Sequence, residues 1–120
     1  MYSLTQKEEE VMELIWRLGS CTPKEVQALY TKPVPNINTI ATSFQSLEKK
    51  GYLSHEPKGR GYLYTPLVEK TAYGESRFTH FIDKFFNGDV KEIVNSFIRS
   101  EKISKEELLK LLEDLETQNK

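Results

Sequence analysis

A single cysteine, Cys21, rules out an internal disulfide framework and any multi-thiolate metal centre within one chain. Its expected role is packing, because a reactive thiol needs a lowered pKa. Histidine is almost as scarce. His55 and His80 have no metal-ligand spacing to each other or to Cys21, so both read as structural, and no metal or cofactor is expected. Long apolar runs are missing too. None approaches the roughly 20 residues of a membrane span, and the opening MYSLTQKEEE lacks the basic start and apolar stretch of a secretory signal. A cytoplasmic setting with no direct membrane insertion follows. No nucleophile elbow, phosphate loop or paired-carboxylate context is present, which argues against an enzyme. Glu8-Glu9-Glu10 is best read as a solvated first helical turn, where negative charge suits the helix dipole. Finally, strong charge of one sign is lacking: 17 basic residues against 18 acidic ones give −1, so the chain is not a general polycationic binder.

What is present is the composition of a soluble folded protein, 38% hydrophobic and 29% charged over 120 residues. That length suits one domain or two small ones sharing a core. Charge is unevenly placed. Residues 32–64 hold five basic side chains (Lys32, Lys49, Lys50, Lys58, Arg60) against two acidic ones, a local +3, while residues 69–120 come to −2. A locally basic surface can hold phosphates, with modest non-specific affinity.

Residues 36–51, NINTIATSFQSLEKKG, carry the most unusual pattern. Ile37, Ile40, Phe44 and Leu47 recur at spacings of three and four and require burial on one helix face. Thr39, Thr42, Ser43 and Ser46 form a row of short hydroxyls, flanked by Asn38 and Gln45, with Lys49, Lys50 and the stop signal Gly51 at the end. Solvent faces ordinarily favour Glu, Lys and Arg, since Ser, Thr and Asn are poorer helix formers. Such a stripe points to contact with base edges and phosphates in a major groove wide enough to admit a helix. The plainer reading is a mediocre surface helix.

Two helices precede this one. Thr5 and Glu8 fit a capping box ahead of the stripe Val11, Leu14, Ile15 and Leu18, which ends near Gly19. Thr22-Pro23-Lys24-Glu25 is a second capping box with proline at the first helical position, leading to Val26, Leu29 and Tyr30. Pro33 and Pro35 close that helix, and Asn36 or Asn38 caps the next. Beyond Gly51, residues 52–56 and 61–65 alternate as strands around Pro57-Lys58-Gly59-Arg60, a hairpin signature. Three helices and a basic-tipped hairpin describe a winged helix. Lys58 and Arg60 suit phosphates or the minor groove, or are simply a solvated turn.

From residue 69 the pattern turns wholly helical. Phe78, Phe81, Ile82 and Phe85 form one apolar stripe, ended by Asn87-Gly88; Val90, Ile93, Val94 and Phe97 form another; Leu108, Leu111, Leu112 and Leu115 form a third behind Ser104-Lys105-Glu106-Glu107. About fifty residues with this much apolar surface would be marginal alone, so a second copy of the chain is the economical cover. The alternative is that these helices fold back on the winged helix. The expected fold is therefore mainly α with a small β wing: a winged helix-turn-helix over 1–68, followed by a three-helix dimerisation domain over 69–120.

Together these residues resemble the penicillinase repressor family, the methicillin- and β-lactamase-resistance repressors and their copper-responsive relatives. The resemblance runs through nearly the whole chain. It is carried by Leu4-Thr5-Gln6-Lys7-Glu8 with Val11-Met12 and Ile15-Trp16, by Thr39-Ile40-Ala41-Thr42, by Leu47-Glu48-Lys49-Lys50-Gly51-Tyr52-Leu53, and by Gly59-Arg60 leading into Tyr62-Leu63-Tyr64-Thr65-Pro66. It implies a homodimer on a palindromic DNA operator that blocks transcription, with readers at Asn38, Thr39 and Thr42 and a wing arginine at Arg60. The chain departs from the family in lacking an arginine about where Gln45 or Ser46 stands and a basic residue near Asn38. An altered operator and fewer phosphate contacts are expected from that. The resemblance also implies inactivation through a membrane sensor-protease system, with cleavage between Ser96 and Phe97, although the family pattern has Asn before the Phe. The paired C-terminal cysteines of copper sensors are missing from residues 108–120.

The leading expectation is a dimeric, sequence-specific transcriptional repressor. Asn38, Thr39, Thr42 and Ser43 would touch bases, and Ser46, Lys49, Lys58 and Arg60 would hold phosphates or the minor groove. Its rival is a winged helix used for protein contact without specific DNA binding.

Overall fold

The computed structural model describes residues 2–118, with the side chains of all but 111, 112 and 115–118. In order, the elements are α1 (Gln6–Leu18), α2 (Pro23–Gln27), α3 (Ile37–Lys49), β1 (Leu53–Lys58), β2 (Gly61–Pro66), α4 (Lys70–Phe86), α5 (Val90–Arg99) and α6 (Lys105–Gln118). The chain is mainly helical with a two-stranded antiparallel wing. It divides into two compact units, one ending at Arg77 and the other beginning at Phe78.

Local sequence sets the helix ends in the first unit. The Thr5 hydroxyl accepts from the Glu8 amide at 3.1 Å while the Thr5 amide donates to Glu8 Oε1 at 2.8 Å, a reciprocal cap that starts α1. Thr22 and Glu25 repeat the arrangement for α2, with Pro23 just inside the helix. That helix is shorter than Val26, Leu29 and Tyr30 suggest. The amides of Leu29 and Tyr30 donate three residues back, to Val26 and Gln27, so the last turn tightens and Leu29 ends exposed. Asn36 caps α3 through its side-chain oxygen, 2.8 Å from the Asn38 amide, which leaves the Asn38 side chain free of that task. At its other end the Gly51 amide donates to Glu48 O and the Tyr52 amide to Leu47 O, a Schellman closure that needs φ +88° at Gly51.

β1 and β2 pair in register from Leu53 opposite Pro66 to Lys58 opposite Gly61. The strands therefore run further than the sequence pattern suggests, and the turn is only Gly59-Arg60. Gly59 supplies the positive φ, +60°, that a two-residue turn of this hand requires. Cys21 adds an isolated antiparallel bridge to β2: its amide and carbonyl both bond to Tyr64 at 2.8 Å. Its thiol is buried, and burial together with the nearby Glu25 charge pushes its pKa up to about 11, which suits packing and not reactivity.

The core of this unit gathers Val11, Met12 and Ile15 of α1, Val26 of α2, Ile40, Phe44 and Leu47 of α3, and Tyr52, Leu53 and Tyr64 around the wing. Each fully buried side chain of α3 contributes about 1.5–3 kcal/mol of apolar transfer, enough to fix how the helix is rotated. Tyr73, near the start of α4, belongs to the same core. Its hydroxyl donates to Glu9 at 2.8 Å, and its ring lies 5.8 Å from both Trp16 and Tyr52. The first turns of α4 thus pack with the winged helix, whereas the sequence pattern draws the boundary between residues 68 and 69.

In the second unit, Asn87 and Gly88 take positive φ between α4 and α5, and Asp89 caps α5. Ser104 caps α6 by accepting from the Glu107 amide, while the Glu107 carboxylate meets the Ser104 hydroxyl. Ile93 is buried, and Ile82, Val94 and Leu108 are half-buried. Phe78, Phe81, Phe85 and Phe97 remain exposed, between 46% and 62%. Phe81 and Phe85 stack at 5.0 Å, with the Lys84 ammonium 5.3 Å from the Phe85 ring. Val94, Phe97, Lys102, Ile103 and Leu108 enclose an apolar cleft of about 380 Å³. Leu111, Leu112 and Leu115, also expected on the dimer face, have side chains outside the described residues.

Candidate nucleic-acid interface

Which side of α3 faces outward is decided by its buried side. Ile40, Phe44 and Leu47 turn inward, and at about 100° per residue the positions opposite them are Asn38, Thr42, Gln45 and Lys49. All four are exposed. The outward face therefore differs from the hydroxyl row that spacing alone suggests. Ser43 lies about a quarter-turn or less from the core direction; it is 7% exposed and its hydroxyl donates to Thr39 O at 3.3 Å. Ser46 is half-buried and donates to Glu8 Oε2 at 2.5 Å. Both expectations are corrected: Ser43 and Ser46 are turned toward the fold, Ser46 being held by α1. Thr39 is half-buried at the edge of the face. Thr42 is exposed, and its hydroxyl donates to Asn38 O at 2.8 Å.

Glu8 is the charged centre behind this face. At 5% exposure it accepts from Thr5 N, from Ser46 and from Lys50 Nζ at 2.6 Å. Burial alone would raise its pKa, but the hydrogen bonds from Lys50, Ser46 and Thr5 prevail and hold the carboxyl at about 2. Lys50 is thereby removed from the basic surface, since it also donates to Ser3 O at 3.2 Å.

Ile37 is only half-buried. It sits at the rim of the core stripe and, with Ala41 and Gln45, forms one wall of a groove of about 500 Å³. Its lining is completed by Thr22, Pro23 and Lys24 at the start of α2 and by Lys58, Arg60, Tyr62 and Tyr64 of the wing. Lys24, Lys49, Lys58 and Arg60 are exposed, and their side chains make no hydrogen bond or ion pair among the described residues. The wing is tied to α3 by a hydrogen bond between His55 and Glu48, with the His55 ring edge-on to Tyr62 at 4.8 Å. Sequence spacing sets Gln45 beside the hydroxyl row without giving it a contact, and gives none to Ala41 or Lys24. The exposure of Gln45 follows from the buried side of the helix; Lys24 needed the tertiary fold.

Among the described residues, no helix is long and apolar enough to cross a membrane, and no group of three or more His, Cys, Asp or Glu side chains could hold a metal ion.

Comparison with known proteins agrees with the winged-helix fold. Residues 4–117 match the family described as penicillinase repressor. The penicillinase repressor of Bacillus licheniformis is 33% identical over 114 residues, which is 94% of this chain and 89% of that protein. The methicillin resistance regulatory protein MecI of Staphylococcus aureus (strain N315) is 25% identical over 111 residues, 92% of this chain and 90% of that one. The solution structure of the DNA binding domain of the repressor BlaI is similar at a TM-score of 0.52 and 35% identity, covering 59% of this chain and 88% of that chain. With the family match spanning nearly its whole length, the chain belongs to the penicillinase repressor family.

Proposed function

We propose that this DNA-binding transcriptional repressor works as a homodimer on a palindromic operator, each protomer laying α3 in a major groove. The observation that carries the reading is the outward face of α3, polar and exposed, with the unpaired cations of the wing across a groove beside it. Asn38, Thr39 and Thr42 suit base edges, and Lys49, Lys58 and Arg60 suit phosphates or the minor groove. Ser43 and Ser46 are left out, because one is buried and the other is held by Glu8. Four exposed phenylalanines in the second unit support dimerisation, since so much aromatic surface is costly to leave in water. Relief of repression by a membrane sensor-protease system, cutting between Ser96 and Phe97, is consistent with the exposure of both residues on α5. This regulation belongs in the cytoplasm, where the operator is.

The test is recovery of bound fragments from sheared genomic DNA by the purified chain, followed by salt titration of the enriched site. A palindromic motif with half-sites about 10 base pairs apart is expected. A folded chain that enriches nothing refutes specific DNA reading.

A further inference from the structure

Gln45 has no task inside the fold. It is exposed, lies about 100° around α3 from the buried Phe44 on the flank of the outward face, and its amide makes no hydrogen bond among the described residues. Its side chain is longer than those of Asn38 and Thr42 on the same face and reaches further than they do. Thr42 lies three residues before it and Lys49 four residues after, so all three share one face. Beside it, Ile37 and Ala41 form an apolar wall of the groove, with Arg60 opposite.

We infer that Gln45 is a specificity-determining residue that reads one adenine in the major groove of each operator half-site; this rests on the DNA-reading proposal above. The chemistry is that of the amide. Its carbonyl accepts and its NH2 donates, the complement of adenine, which offers the N6 amino group and N7 side by side. Guanine presents two acceptors at that edge, O6 and N7, and a single amide cannot satisfy the pair in the same bidentate way. The short Ala41 lets the base edge approach α3, and the Ile37–Ala41 wall offers apolar contact for a thymine methyl on the neighbouring pair. Lys49 and Arg60, reaching phosphates on either side, would hold the helix at the depth where Gln45 meets the bases.

The experiment uses the full chain and a pool of randomised duplexes to define the preferred site, then measures affinity for all four bases at every half-site position. The wild-type chain is expected to prefer adenine at one position by about 10- to 100-fold. Gln45→Ala should flatten that one preference and leave the others, and binding to random DNA, as they were. Gln45→Arg should move the same position from adenine to guanine. The inference is overturned if Gln45→Ala keeps every base preference, or if it weakens all duplexes by one common factor, as loss of a phosphate contact does. If the wild-type chain selects no motif at all, the underlying DNA-reading proposal falls as well.

Discussion

Glu8 links the start of α1 to the end of α3, and its removal has a pH signature that can be worked out beforehand. Its carboxyl is held at about 2, against an ordinary 4.5, by Lys50, Ser46 and Thr5 acting over the opposing effect of burial. Because the folded-state pKa is depressed, the stabilisation is fully present above the unfolded value and is lost as pH falls from about 4.5 through about 2. At neutral pH the shift corresponds to about 3 kcal/mol, and near pH 3 to a little over 1 kcal/mol. Glu8→Gln keeps the shape but removes the charge, leaving the Lys50 ammonium unpaired at a half-buried site. The assay is urea unfolding followed by fluorescence of Trp16, the one tryptophan, whose indole N–H donates to Val68 O at 2.8 Å in this unit. The difference between wild type and Glu8→Gln should shrink by about 2 kcal/mol between about pH 7 and about pH 3, other titrations cancelling in the comparison. A constant difference across that range would refute the assignment of the depressed carboxyl to Glu8.

Ser46→Ala should cost about 1–3 kcal/mol in the same unfolding assay, because it deprives a buried carboxylate of a donor. The salt dependence of DNA binding should stay unchanged, and a slope reduced by about 1 would return Ser46 to the phosphate contacts. Arg60→Ala should do the reverse, weakening binding to all sequences and lowering the salt slope by about 1 without altering unfolding. Gly51→Ala should destabilise the first unit by about 1–2 kcal/mol although nothing lies within 4 Å of the added Cβ, since the cost comes from φ +88° alone. Phe97→Glu, at an exposed aromatic expected on the dimer face, should give a monomer by light scattering, and a persistent dimer would place the interface elsewhere.

The winged helix was legible because its signals are local. Thr5 with Glu8, Thr22 with Glu25, Asn36 and Gly51 each set an element's end through bonds spanning a few residues, and the periodicity of Ile40, Phe44 and Leu47 marked the buried side of α3. The candidate interface was legible only in part. Spacing grouped Thr39, Thr42, Ser43 and Ser46 as one row, but a row is only a direction on a helix, and which direction faces solvent depends on what packs beside it. α1 packs against the Ser46 flank, and its Glu8, 38 residues away in sequence, takes up the Ser46 hydroxyl and the Lys50 ammonium. Burial of Ile40, Phe44 and Leu47 leaves Gln45 on the outward side. The groove between α3 and the wing likewise joins Lys24, Gln45 and Arg60 across three elements. By itself, then, the sequence determined the elements, their caps and the family, because hydrogen bonds and apolar periodicity within a few residues suffice for these. Only the tertiary structure decided which polar side chains are free to meet DNA, because that depends on which of them the rest of the chain has already engaged.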